Sequence, residues 1–328
     1  MKITLTFLSL VFLFSASTHA SAKGDSLRDR LKARIEQKRE NIAEKKLLTA
    51  GDHALTLRYQ GEERFYLVHV PQSYRVDQPT PMVLSLHGGG GNMRYQATDE
   101  FYGWIRKSEQ AGFIAVFPNG FSRFRDGKLS TWNAGICCGQ ARNKNSDDVG
   151  FIKAMIDDIK TKLTIDAKRI YANGMSNGGM MSYRLACELP EIRAIAAVAG
   201  TDGTLACSPN RAIPILHIHA KDDDRVLFNG GSGSASDSLA DFVSVPKTIE
   251  KWVKLNGCQM PAKRVLEVEG AYCEEYSDCS ENVKVKLCVT ETGGHSWPGG
   301  KKVRGKTQGS QAVNATDLIW AFYQESIY

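Results

Sequence analysis

The sequence predicts an α/β protein: a mostly parallel sheet with helices on both faces and an antiparallel N-terminal edge. Three observations carry this. Short, nearly continuous apolar runs recur along the chain, as strands buried on both faces require. Helical stretches separate those runs, and strands alternating with helices imply parallel pairing. The first two β-like runs instead alternate polar with apolar residues and are joined tightly, which reads as a hairpin added to one edge.

The elements follow in order from near Ala54. Leu55–Tyr59 and Arg64–Val70 form the hairpin, closed by Gln60-Gly61-Glu62 and ended by Pro71. Met82–His87, Phe113–Phe117, Ile170–Ala172, Ala194–Ala199 and Ile215–His219 are the buried runs. Thr98–Ala111, Asp148–Lys162, Asn177–Glu188 and Val245–Leu255 carry helical patterning between them. At 328 residues the chain exceeds the usual domain size, but an α/β sheet of this length forms one domain, expected over residues 51–328. Asn229–Ser238 is low in complexity and is expected to be a mobile surface loop after a sheet strand.

The N-terminus has another character. Lys2 precedes the apolar run Leu5–Phe14, and Thr18–Ala22 offers small residues for cleavage, so residues 1–22 read as a secretory signal peptide. Residues 23–50 read as a basic amphipathic helical segment with Leu27, Leu31, Ile35 and Ile42 on a thin apolar stripe. This segment holds nine Lys or Arg against five Asp or Glu, and Lys2 adds one charge. Of the net +6, about +1 remains for the rest of the chain. The domain therefore lacks the basic excess of a nucleic-acid binder, and no run after residue 22 is long enough for stable membrane insertion.

Eight cysteines in an exported chain favour disulfides, and their spacings lack the paired knuckles of a zinc site. Spacing pairs Cys258 with Cys279 and Cys273 with Cys288. Neighbouring Cys137 and Cys138 are expected to reach separate partners, Cys187 and Cys207. The expected location is extracellular or periplasmic.

Gly174-Met-Ser-Asn-Gly178 is a G-x-S-x-G pattern between Arg169–Ala172, a strand, and Met180–Cys187, a helix. In that context the serine stands on a strained turn, and the glycines make room for the passing helix. A serine hydroxyl needs a base, and the base needs an orienting carboxylate. In such folds the chain order is serine, acid, histidine. His217 and His219 are embedded in a strand, so His295, in the glycine-rich Gly293–Gly300, is the candidate base for Ser176. Asp222, Asp223 and Asp224 follow the strand Ile215–His219 and are the candidate acids, with Asp202 an outside candidate. Leu86-His-Gly-Gly-Gly-Gly-Asn92 follows a buried strand, as a loop supplying an oxyanion N–H does. Gly89 and Asn177, the residue after the serine, are the candidate donors. A phosphate cradle is the competing reading of the glycines, but no Gly-Lys-Ser/Thr follows them.

These stretches, with Phe117-Pro-Asn-Gly120, Trp132–Gly139, Asp147–Ile152 and His219–Gly231, resemble the secreted α/β-hydrolases of the polyhydroxybutyrate depolymerase and feruloyl esterase family. The resemblance spans residues 84–300. It implies the α/β-hydrolase fold and a serine esterase working through an acyl-enzyme, with no metal or cofactor. Its substrates would be feruloyl or acetyl esters of polysaccharide, or a hydroxyalkanoate polyester. The family's His-Gly-Thr-x-Asp segment, matched onto His219-Ala-Lys-Asp-Asp223, implies Asp223 as the acid, although Ala220 and Lys221 depart from the pattern. It also implies that Trp132 and Trp297 line the substrate cleft. Asp147 and Asp148 read as a helix N-cap. The alternative from another class is a non-catalytic secreted binding protein on the same fold.

Overall fold

The computed structural model describes residues 48–236, 240–302 and 308–326, together with Arg28, Leu31, Lys32 and Arg34. The expected signal peptide lies outside the described residues. Of the basic segment after it, those four N-terminal residues are helical and exposed. Leu47–Tyr328 forms one compact unit.

Ten strands form its sheet: β1 Gly51–Tyr59, β2 Glu62–Val70, β3 Thr80–Leu86, β4 Ile114–Pro118, β5 Ile165–Met175, β6 Ala194–Val198, β7 Ile215–Ala220, β8 Lys263–Val268, β9 Ala271–Tyr276 and β10 Val285–Thr290. Their order across the sheet is β1-β2-β4-β3-β5-β6-β7-β10-β9-β8. The six strands from β4 to β10 run parallel, and an antiparallel pair flanks them at each end. The N-terminal hairpin was expected. The second antiparallel edge was not, because β8 is exposed at nearly every position and mixes Lys263, Arg264 and Glu267 with its apolar residues rather than presenting an apolar run.

The helices are α1 Met93–Gln96, α2 Trp104–Ala111, α3 Gly139–Asn143, α4 Asp148–Lys162, α5 Asn177–Glu188, α6 Val245–Leu255 and α7 Ala315–Glu325. Strand alternation sorts them onto two faces. Met82, Leu84 and Leu86 of β3 point to one core, with Phe151 and Met155 of α4, Met181 of α5 and Trp252 of α6. Val83 points to the other, with Trp104 of α2 and Ile319 and Phe322 of α7. The helix expected from Thr98 begins at Trp104, after Gly103 at φ 69°.

One cap and an ion pair fix the start of α4 and the loop before it. The Asp147 carboxylate accepts the Gly150 N–H at 2.9 Å, an N-cap as expected. Asp148 does something else: it forms a buried ion pair with Arg64 of β2 at 2.7 Å and accepts the Asn133 N–H at 2.8 Å. That tie holds the segment carrying Trp132 against the sheet.

The described part of the Asn229–Ser238 stretch is not a free loop. Val226 bridges Ser232, and the Gly233 and Ala235 N–H groups donate to Arg225 and Asp224 carbonyls. It folds back on the segment that carries the candidate acids.

The four disulfides are Cys137–Cys138, Cys187–Cys207, Cys258–Cys279 and Cys273–Cys288. The last two pair as spacing predicted. The first two correct the expectation: Cys137 pairs with its neighbour Cys138 rather than with a distant partner, and Cys187 pairs with Cys207.

Candidate active site

β5 ends at Met175, and Ser176 follows with φ 55° and ψ −122°, a backbone conformation that costs a non-glycine residue roughly 1–3 kcal/mol. The neighbours hold it there. The Ser176 N–H donates to the Val198 carbonyl of β6 at 2.8 Å, and α5 starts at the next residue. A Cβ on Gly174 would strike the Gly178 backbone, one on Gly178 the Leu86 carbonyl, and one on Gly200 the Ser176 carbonyl. From Ile170 to Tyr183 every residue is buried except Ser176. The turn therefore spends its strain on exposing one side chain.

Three parallel strands deliver the other pieces to the same edge, the carboxyl ends of the strands, where open α/β sheets bind ligands. Asp223 follows β7 and His295 follows β10, and these strands are neighbours paired from Val285↔Ile215 to Thr290↔Ala220. The His295 Nδ1 lies 2.8 Å from Asp223 Oδ2. Of the three adjacent aspartates, Asp223 alone faces the ring. Asp222 instead accepts the Gly294 N–H at 2.8 Å and the Gly293 N–H at 3.3 Å, pinning the loop that carries the imidazole. Asp202 is also spent elsewhere, on Lys251 at 2.8 Å and the Trp252 indole N–H at 2.9 Å. No hydrogen bond joins the Ser176 hydroxyl to His295 among the described residues.

Asp223 is buried, and burial pushes its carboxyl up. Hydrogen bonds from His219 and His295 outweigh that and hold it well below the usual carboxylate range. Two backbone donors, Arg225 N–H at 2.8 Å and Val226 N–H at 2.9 Å, fix its other oxygen. A negative charge is thus kept available behind the imidazole without solvent.

The glycine loop lies beside the elbow: a Cβ on Gly88 would sit 3.5 Å from the Ser176 Cβ, and one on Gly89 3.7 Å from the Asn177 Cβ. His87 sets its orientation. The Gly88 carbonyl can only accept, so His87 Nδ1, 2.8 Å away, carries the proton; Nε2 then accepts the Gly120 N–H at 3.0 Å. The same carbonyl accepts the Gly91 N–H at 3.0 Å. Because the Gly88–Gly89 peptide is planar and trans, the Gly89 N–H points the opposite way. The Asn177 N–H, first in α5, has no partner within the helix. Its side chain clips the Trp132 backbone with two bonds, accepting its N–H at 2.7 Å and donating to its carbonyl at 3.0 Å. Burial lowers the His87 imidazole to about 4, so the ring is neutral at ordinary pH.

Residues 71–233 match the dienelactone hydrolase family. Feruloyl esterase B of Piromyces equi is 32% identical over 249 residues, which cover 73% of this chain and 44% of that protein. The protein named "Probable feruloyl esterase C" of Aspergillus flavus is 30% identical over 242 residues, 71% of this chain and 76% of its own length. The chain belongs to the α/β-hydrolase family of these feruloyl esterases. This chain thus spans less than half of the Piromyces protein and three quarters of the Aspergillus one. Among solved structures, the acetyl xylan esterase from Aspergillus awamori superposes with a TM-score of 0.58 at 13% identity, over 84% of this chain and 99% of that one. That likeness bears on the fold.

The two tryptophans expected along a substrate cleft are both buried. Trp132 is fully buried, donates its indole N–H to the His87 carbonyl at 3.0 Å and packs on the His87 ring at 5.0 Å. Trp297 is buried against Tyr102 and Trp104 and donates to the Thr316 hydroxyl at 3.0 Å. Both indole N–H groups need partners once buried, and both find them inward, bracing the glycine loop and the histidine loop.

Sequence reasoning passed over three histidines that bear on the site. His87 was read only as part of a glycine motif. His217 and His219 were set aside as strand residues, yet His219 reaches Asp223. Period-two alternation places both on one face of β7, the only signal in the sequence that joined them.

Proposed function

We propose that this chain is a serine esterase that hydrolyses carboxylic esters through an acyl-enzyme, with Ser176 as nucleophile, His295 as base and Asp223 as the orienting acid. The pairing of His295 with Asp223 at 2.8 Å, on loops after the adjacent strands β7 and β10, carries the reading. Ser176 stands on the same sheet edge, after β5. Its hydroxyl would hydrogen-bond to His295 as substrate enters, since such bonds are often long in free enzymes and tighten in the Michaelis complex.

In the first half-reaction Ser176 Oγ would attack the ester carbonyl while His295 Nε2 takes its proton. The Gly89 and Asn177 N–H groups would receive the oxyanion. His295 then returns the proton to the leaving alcohol, and water repeats the sequence to release the acid. Asp223 keeps the ring in its Nδ1–H tautomer and stabilises the imidazolium.

The relatives' names favour feruloyl esters over acetyl esters and hydroxyalkanoate polyesters, and the polysaccharide forms of the first two would make the substrate polymeric. Four disulfides among the described residues support export to an oxidising compartment. Among those residues no helix is long and apolar enough to cross a membrane.

Replacing Ser176 with Ala should lower p-nitrophenyl acetate turnover by on the order of 10⁴-fold or more while leaving the thermal melt unchanged. A fluorophosphonate probe should label the wild type at Ser176. Turnover undiminished in the variant, or no adduct on the wild type, would overturn the reading and favour a binding protein on this fold. A panel of methyl ferulate, acetylated xylan and hydroxybutyrate oligomers decides the acyl class.

A further inference from the structure

Behind the candidate acid runs a line of buried polar groups that the ester mechanism does not use. Tyr183 of α5 and His217 and His219 of β7 are all buried. The Tyr183 hydroxyl is 2.7 Å from His217 Nδ1, and His217 Nε2 is 3.1 Å from His219 Nδ1. His219 Nε2 lies 2.8 Å from the Val226 carbonyl and 3.3 Å from Asp223 Oδ2. The two imidazoles lie with centroids 5.2 Å and planes 7° apart, and the Phe228 ring meets His219 edge-on at 6.0 Å.

The end of this line fixes the proton on His219 Nε2, and with the His219 ring uncharged the others follow. A backbone carbonyl and an ionised carboxylate are both acceptors, so His219 Nε2 must carry hydrogen. In neutral His219 the Nδ1 atom is then bare and must accept, which puts the His217 proton on Nε2. His217 Nδ1 is bare in turn and accepts from the Tyr183 hydroxyl. All the bonds run one way, from the tyrosine to the carboxylate. Burial pushes His217 well below its usual range, so His217 stays neutral.

We propose that His219 is a positioning residue for the Asp223–His295 pair, held in its Nε2–H tautomer by the one-way chain of hydrogen bonds that starts at Tyr183. This rests on the esterase reading above. The backbone N–H groups of Arg225 and Val226 occupy one carboxylate oxygen; His295 takes the other at 2.8 Å, and His219 Nε2, bonded at 2.8 Å to the Val226 carbonyl, stands 3.3 Å from it. A donor fixed by a chain of four residues stops the carboxylate from turning and disperses its charge where water does not reach.

Removing that donor leaves the carboxylate charge less dispersed. Protonated forms of the Asp223–His295 pair are then favoured, and the free base is less populated at a given pH. The acid limb of the rate profile should therefore move up. Other titratable groups that face the chain are Asp202, whose charge acts on Tyr183 and is paired with Lys251, and Asp222, which is bonded to the His295 loop.

The test uses His219→Leu, which removes the donor, and His219→Gln, whose amide N–H can take the place of Nε2–H. In His219→Leu the acid limb of kcat/KM should rise by about one pH unit, the size of one hydrogen bond to a charged group, with kcat falling about tenfold and KM little changed. His219→Gln should restore the limb, and Tyr183→Phe should move it part of the way. Long-range proton–nitrogen spectra of the wild type should show His217 and His219 both protonated at Nε2. A limb unmoved in a folded His219→Leu, a His219→Gln that moves as far as the leucine variant, or a proton on His219 Nδ1 at neutral pH would overturn the proposal. If His219→Leu does not fold, the spectra and Tyr183→Phe decide. Failure of the esterase reading would appear separately, as loss of Ser176-dependent turnover or labelling in the wild type.

Discussion

His87 shows how one buried side chain can couple stability to site geometry. Its imidazole is lowered to about 4 by burial, against about 6.5 in an unfolded chain. Between those values the unfolded chain binds the extra proton, so stability is complete above about pH 6.5 and declines as pH falls towards 4. His217, also lowered by burial, adds to the loss in the same direction. Asp223, held below the usual carboxylate range, extends it: its contribution is present above that range and fades as pH drops further. The unfolding free energy from urea titrations should fall by on the order of 3 kcal/mol from His87 alone between pH 6.5 and pH 4. His87→Leu, which removes both the titrating ring and the Nδ1–H donor, should flatten that slope by about one proton and lower kcat by about 10²-fold, because the Gly88 carbonyl loses its anchor and the Gly89 N–H its aim. An unchanged slope would mean that this ring does not titrate with unfolding. The residue types at the site were legible in the sequence. Their tautomers and charges were not, because those depend on neighbours brought in from other strands.

The elbow is an element whose tolerance can be stated from geometry. A methyl group on Gly178 would overlap the backbone carbonyl of Leu86 at the end of β3, and neither strand nor helix can retreat without breaking sheet pairing. Gly178→Ala should therefore give little soluble protein, or a melt lowered by many degrees, whereas Gly61→Ala, with nothing within 4 Å of the added carbon, should lose only what its φ of 85° costs. Equal expression and melting of the two variants would contradict that placement. Elements with strong apolar patterning were readable: α4, α5 and α6 match their expected bounds, and so do the central strands within a few residues. The C-terminal strands β8, β9 and β10 were not read. β8 is an exposed edge, and β9 buries only every second residue, so neither presents a continuous apolar run.

Across the whole molecule, the second antiparallel edge is fastened covalently. Cys273 and Cys288 face each other across β9 and β10, and Cys258–Cys279 ties the end of α6's connection to the turn before β10. With Cys187–Cys207 these bridges close segments of 15, 20 and 21 residues, each contributing roughly 3 kcal/mol by loss of unfolded-chain entropy. Melting with and without dithiothreitol should show a drop of well over 10 °C on reduction, and a melt indifferent to reductant would remove the bridges from the account of stability. Because β10 carries the His295 loop, activity should fall before the β5–α5 elbow unfolds.

Local pattern, written in the sequence, determined the strand–turn–helix around Ser176, the chain order of the candidate nucleophile, acid and base, the glycine loop and the alternation that makes the sheet. Such features depend on near neighbours in the chain. Tertiary structure alone decided that Asp223 rather than Asp222 or Asp224 meets an imidazole 72 residues away, that Trp132 and Trp297 turn inward, that Cys137 pairs with its neighbour, and that His219 stands behind the acid. Each of those outcomes is a choice of hydrogen-bond or covalent partner, and partners are chosen by which strand ends lie side by side.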